Sequence, residues 1–131
     1  MQISREADYA LRAVVYLSRL SDGQRAATSK IASEQQIPAA FLAKIVVRLS
    51  AAGLIHTSRG ARGGVSLARP SDQISMLEVI EVIDGPILVN SCVLRPDECS
   101  MSSMCSFRPI FCEAQETLVG KLKSTTLAQL A

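Results

Sequence analysis

The chain has 131 residues, 48% of them apolar and 20% charged, so it can build one domain around its own core without disulfides or a structural metal. The net charge of +2 is unevenly spread: residues 1–70 hold ten Lys/Arg against four Asp/Glu, and residues 71–131 hold four against eight. A basic half joined to an acidic half suits a nucleic-acid-facing module coupled to something else. The start, Met1 to Glu6, has no apolar signal core, and charges interrupt every apolar run short of a membrane span. A soluble, cytoplasmic protein is expected.

Residues 4–20 read as a helix with Leu11, Val14, Val15 and Leu17 as its apolar stripe, ended by Ser21-Asp22-Gly23. A short helix follows from Thr28 or Ser29, both N-cap types, to Gln35, with Ile31 and Ala32 inward. Pro38 suits the first position of a third helix. That helix should bury Phe41, Leu42, Ile45 and Leu49, and show Ala39, Ala40, Ala43, Lys44, Val47 and Arg48 to solvent. Gly53 stops it. Residues 54–58 and 64–68 read as two strands of a hairpin whose tip, Arg59-Gly60-Ala61-Arg62-Gly63, carries two arginines. This order is that of a winged helix-turn-helix.

Ser75-Met76-Leu77-Glu78 reads as a capping box opening a helix whose core face is Met76, Val79, Ile80 and Ile83, widened by Leu77 and Val82. Gly85-Pro86 closes it. A Cys/Ser/Pro-rich loop runs from about Ile87 to Ser106. A final long helix, from about Ser106 or Pro109 to Ser124, has an apolar side of Ile110, Phe111, Ala114, Leu118, Val119 and Leu122, too wide for a monomer surface. It reads as a dimerisation helix. The predicted fold class is mainly α with a small β-hairpin wing, arranged as a winged-helix region (1–70) and a cysteine-loop and dimerisation region (71–131) within one integrated domain.

The third helix fits the major groove, because its exposed residues Ala39, Ala40 and Ala43 allow close approach and an alanine methyl can touch a thymine methyl. Lys44 and Arg48 can reach phosphates or a guanine. Thr28, Ser29 and Lys30 are placed for backbone phosphates, and Arg59 and Arg62 for phosphates or the minor groove. Each alone is an ordinary surface residue; the case rests on their common face. With few aromatics, single-strand binding by stacking is not expected.

All four cysteines lie in one stretch, Cys92-x6-Cys99-x5-Cys105-x6-Cys112. The pattern has no CxxC pair, so zinc-ribbon spacing is absent. Three or four thiols in one loop can wrap an iron–sulfur cluster; unligated thiols, or a redox disulfide such as Cys99 with Cys105, are the other readings. Cys112 falls inside the last helix, where a buried apolar cysteine is common. An oxidoreductase would need a cofactor pocket, and neither a Gly-rich phosphate loop nor a catalytic His/Asp set appears.

Several stretches, taken together, resemble the winged-helix regulator family that contains IscR, NsrR, RirA and CymR. They are Ser4 to Arg12, Ile37-Pro38 through Phe41-Leu42 to Leu49, Ala52 to Ile55, Arg59 to Val65, Ser75 to Ile80, and Thr126 to Leu130. The resemblance covers essentially the whole chain. It implies a homodimer with crossing C-terminal helices that binds double-stranded operator DNA, usually as a repressor. Cys92, Cys99 and Cys105 match the trio of the cluster-binding branch. IscR-like members place a histidine shortly after the third cysteine; here Ser106, Phe107 and Arg108 follow Cys105, and the one histidine is His56. NsrR-like members have an acidic residue at the position of Asp8, reaching the cluster from the partner subunit. The resemblance thus implies Asp8 as fourth ligand, with Cys112 as the alternative; a 4Fe–4S cluster is expected before a 2Fe–2S one, although the ligand count fits both. A cluster-free thiol-redox regulator of the same fold is the other reading.

Overall fold

Ser4 caps the first helix: its hydroxyl accepts from the backbone N–H of Ala7, and α1 runs Arg5–Ser18. The computed structural model describes residues 2–131. The buried stripe of α1 is Ala7, Ala10, Ala13, Val14 and Leu17. This differs from the expected stripe, since Leu11 and Val15 are only half-buried at its edges. Helix α1 packs against α4 (Met76–Asp84) above all, and also against α2 (Thr28–Gln35), α3 (Ala39–Ala51), α6 (Leu127–Leu130) and the wing.

Two helices then form the helix-turn-helix, α2 at Thr28–Gln35 and α3 at Ala39–Ala51. Gln36 makes the turn in the left-handed region with φ 54°. The residue at the N-cap of α2 is Ala27, so Thr28 and Ser29 do not cap it as expected but occupy its first turn. Pro38 is likewise the N-cap of α3, not its first residue. In α3 the buried residues are Leu42, Ile45 and Leu49. Phe41, expected among them, is 40% exposed. The reason is angular: at 3.6 residues per turn Phe41 falls on the flank of that face, where it meets Tyr9 of α1 edge-on at 5.9 Å.

The wing consists of β1 (Ile55–Ser58) and β2 (Gly64–Leu67), antiparallel with Ile55 opposite Leu67 and Ser58 opposite Gly64. Ile55 and Val65 turn into the core. A third segment joins the sheet: Ala26 and Val65 exchange both backbone hydrogen bonds, at 3.0 and 2.8 Å. The chain leading into α2 is therefore stitched to the base of the wing.

Helix α4 (Met76–Asp84) is capped by Ser75, whose hydroxyl accepts from the Glu78 N–H. Only this half of the expected box forms, because the Glu78 carboxylate is taken by Arg69. Leu77, Val79, Ile80 and Ile83 are buried, while Met76, expected in the core, is half-buried. Helix α4 touches α1, α3 and α5 (Arg108–Ser124), so its buried arc is wider and differently centred than a one-sided stripe. After α5, a short helix α6 (Leu127–Leu130) returns to α1, with Leu127 fully buried and Ser75 bridged to Thr126. One hydrophobic cluster runs from Ala7 to Leu127, uniting residues from both halves of the chain. None of the described helices is long and apolar enough to cross a membrane.

Candidate functional site

On the basic half, most of the residues singled out for nucleic acid are exposed. Thr28, Ser29, Lys30, Ala39, Ala40, Ala43, Lys44, Arg59 and Arg62 are all exposed. Because Ala27 offers no side-chain cap, the first N–H groups of α2 are left for an external acceptor, and an anion such as a phosphate is a suitable one. The wing's conformation depends on adjacent glycines. A Cβ on Gly63 would lie 2.4 Å from the Ser58 carbonyl oxygen, and one on Gly64 would lie 2.6 Å from that of Ala26. The tip closes with Gly63 N–H donating to Gly60 C=O at 2.9 Å, leaving Arg59 and Arg62 projecting at its two shoulders.

Arg48 behaves differently from the other candidate contacts. Its guanidinium donates to the carbonyl oxygens of Val82 and Ile83 at 3.0 and 2.6 Å, and stands 3.7 Å from the Glu6 carboxylate. It is engaged with the C-terminus of α4, where carbonyls lack helical partners and a cation is favourable. Arg48 stays exposed, and in the single chain its guanidinium ties α3 to the end of α4. Phe41 and Arg48 lie seven residues apart on the same flank of α3, and together they fasten it to α1 and α4.

The end of α4 is also where α1 and the thiol loop meet. The Asp84 carboxylate accepts from the Ser4 backbone N–H at 3.0 Å and from the Ser4 hydroxyl. Gln115 of α5 donates to the Ile87 carbonyl and accepts from Val89 N–H at 2.8 Å. Beyond it, two single-turn 3₁₀ segments, Ser91–Val93 and Pro96–Glu98, shape the loop. Arg108 donates through Nε to the Cys92 carbonyl at 3.1 Å, and Ser102 Oγ donates to that of Pro96 at 2.7 Å. Arg108 and Cys99 line the same open hollow of about 340 Å³.

All four cysteines are free thiols, with Cys99 exposed and Cys92, Cys105 and Cys112 half-buried. The single chain does not bring the expected ligand set together. Among the described residues, no three His, Cys, Asp or Glu side chains are grouped so that they could hold a metal ion. Asp8 lies on α1 and is paired at 2.7 Å with Arg12, which also stacks over Tyr9 and reaches the Gln35 carbonyl at 3.4 Å. His56 is exposed on β1, in the wing. The ties made by Arg48, Asp84, Arg108 and Gln115 have no local signature in the sequence. They join residues 16 to 80 positions apart, and only Ser4, as an N-cap serine, leaves a local signal.

Residues 3–131 match the Rrf2 family, described as iron-dependent transcriptional regulators. The chain belongs to that family. The descriptions of the family and of its relatives are those of transcriptional regulators. A helix-turn-helix transcriptional regulator of Mycobacterium tuberculosis is 40% identical over 87 residues, covering 66% of this chain and 54% of the relative. The chain thus matches about half the length of that relative. Among solved structures, CymR, the global cysteine regulator of B. subtilis, superposes with a TM-score of 0.82 at 25% identity over 100% of this chain and 96% of its own. The oxidized form of Staphylococcus aureus CymR gives 0.78 at 26%, over 100% and 96%. IscR of T. potens gives 0.79 at 22%, over 99% and 85%, and supports the fold alone.

Proposed function

We propose that this chain is a homodimeric, cytoplasmic repressor that binds operator DNA through α2, α3 and the wing, and whose affinity is set by an iron–sulfur cluster. The ligands proposed are Cys92, Cys99 and Cys105, with Asp8 of a second copy as the fourth. The observation that carries this reading is the Arg48 tie. It fastens α3 to the end of α4, the point from which the thiol loop departs. A change in that loop has a short polar route to the helix that faces DNA.

The donor set fits the group in kind. Thiolates are the ligands that iron–sulfur clusters favour, and all of these thiols are free. To gather them, the loop has to wrap, and two single-turn segments with a few hydrogen bonds offer little resistance. When bound, a cluster would supply a centre reactive to oxygen, nitric oxide or iron supply. A carboxylate is a harder and weaker partner for its iron than a thiolate, which suits a labile sensor. In this scheme Asp8 has to leave Arg12, and Arg12 in turn holds the last carbonyl of α2.

A second reading, a thiol-redox regulator without metal, is favoured by the ungrouped, accessible thiols and by the likeness to oxidized CymR. Anaerobic purification with iron and sulfide analysis, followed by DNA binding before and after cluster removal, separates the two. The expected result is a brown protein whose DNA affinity changes on cluster loss, with about four iron and about four sulfide per bound cluster, as a 4Fe–4S centre requires. Serine at Cys92, Cys99 or Cys105 should abolish the colour. Asp8→Ala should leave a cluster that degrades faster, and Cys112→Ala should change little. A colourless protein with reversible thiol oxidation supports the second reading, and an essential Cys112 with a dispensable Asp8 rejects the intersubunit site.

A further inference from the structure

One face of α3 has no use inside the fold. Ala40, Ala43, Val47 and Ala51 are all exposed, and Val47 is 68% exposed. At about 100° per residue these four fall in one stripe, opposite the buried Leu42, Ile45 and Leu49. Lys44 stands at its edge.

Reading guanine or adenine by hydrogen bonds in the major groove takes Arg, Lys, Asn or Gln, and cytosine takes Asp or Glu. The stripe holds none of these except Lys44 beside it, since Arg48 is drawn away to α4. What the stripe presents is methyl groups. In the major groove thymine alone among the four bases offers a methyl in return, on C5. The surroundings fit DNA in charge: residues 35–71 contain no Asp or Glu, and they include Lys44, Arg59 and Arg62 as exposed cations. An apolar protein partner would leave those cations unmatched.

We propose that α3 reads its operator through thymine C5-methyl groups, with Val47 as the main specificity-determining residue and Ala40 and Ala43 admitting the groove edge closely. This rests on the DNA-binding reading above and names the feature of DNA that the site selects.

The test begins with the full chain enriching duplexes from a random pool. In the best-bound duplex each thymine is then replaced singly by deoxyuridine, which removes the methyl and leaves the pairing edge intact. At one or two thymines of the bound site, affinity should fall about fourfold, the worth of one buried methyl-sized group, with no change elsewhere. Val47→Ala should bring the thymine-to-uracil ratio at the facing position towards one and leave the salt slope as it was. Val47→Gln should move the preference at that base pair towards adenine. Equal binding of thymine and uracil at every position overturns the proposal. So does discrimination that survives Val47→Ala, or a Val47→Ala effect confined to self-association. If no duplex is enriched, the DNA-binding reading fails as well, and this outcome is distinct from the others.

Discussion

Gly64 shows how much can hang on a missing side chain. Its φ is +143°, and the place of a Cβ is filled by the Ala26 backbone, 2.6 Å from the oxygen. Gly64→Ala therefore forces apart the Ala26–Val65 bridge or moves β2. The expected loss is about 1–3 kcal/mol, read as a lower urea midpoint, with weaker DNA binding because the wing shifts. As a control, Gly120→Ala meets open space in a helix, and should be neutral or stabilising by up to about 1 kcal/mol. An unchanged midpoint for Gly64→Ala would show that the Ala26 backbone yields. The glycine run in the wing is legible in the sequence as a turn, but its reason is not. Close approach of a segment nearly forty residues earlier leaves no mark on local composition. Arg48 teaches the same lesson: nothing in the sequence around it announces its bonds to the carbonyls of Val82 and Ile83, more than thirty residues on.

Among the elements, those with strong periodic patterns are the legible ones. The helix-turn-helix, the hairpin and α4 fall within a residue or two of expectation, because apolar spacing, Pro38, Gly53 and Ser75 each act locally. Two departures have physical causes. Apolar spacing places Phe41 and Met76 in the core, whereas the arc that neighbouring helices cover decides their exposure. Helix α6 has no counterpart in the expected elements, although Thr126 and Gln129 form a capping box that the spacing T-x-x-Q announces. The wing is the element whose function is most directly measurable. Arg59 and Arg62 are exposed on a tip closed by the Gly60–Gly63 hydrogen bond. Replacing either by Ala should weaken duplex binding and lower the slope of log affinity against log salt by roughly 0.9 for each phosphate the side chain had neutralised. Unchanged binding at matched salt, with an intact fold, would remove the wing from the interface.

For the whole molecule, the outstanding need is cover for α5. This helix spans 17 residues, yet none of them is buried in the single chain. Ile110, Ala114 and Leu118 follow one another at four-residue steps along an apolar strip, and Ile110 is 61% exposed. Phe107, at the N-cap of α5, is exposed too and stacks edge-on with Phe111. A strip of this kind is unfavourable in water, and a matching strip laid on it removes that cost. A second copy supplies such a strip automatically, because the contact of α5 with α5 about a two-fold axis is self-complementary. The flanking charges agree, since Glu113 and Lys121 border the strip with opposite signs, and an antiparallel partner would set one near the other. The intersubunit site proposed above depends on such a pairing, because its Asp8 comes from a second copy. Ile110→Glu separates dimerisation from folding, because the side chain makes little contact in the single chain. The variant should keep its helical content and its thermal transition at high dilution, and it should sediment as a monomer where the unmodified protein sediments as a dimer. Its DNA affinity should drop by at least about tenfold, since one recognition helix then binds without the other. Should the unmodified protein itself sediment as a monomer at micromolar concentration, the α5 interface and the intersubunit role of Asp8 are both rejected.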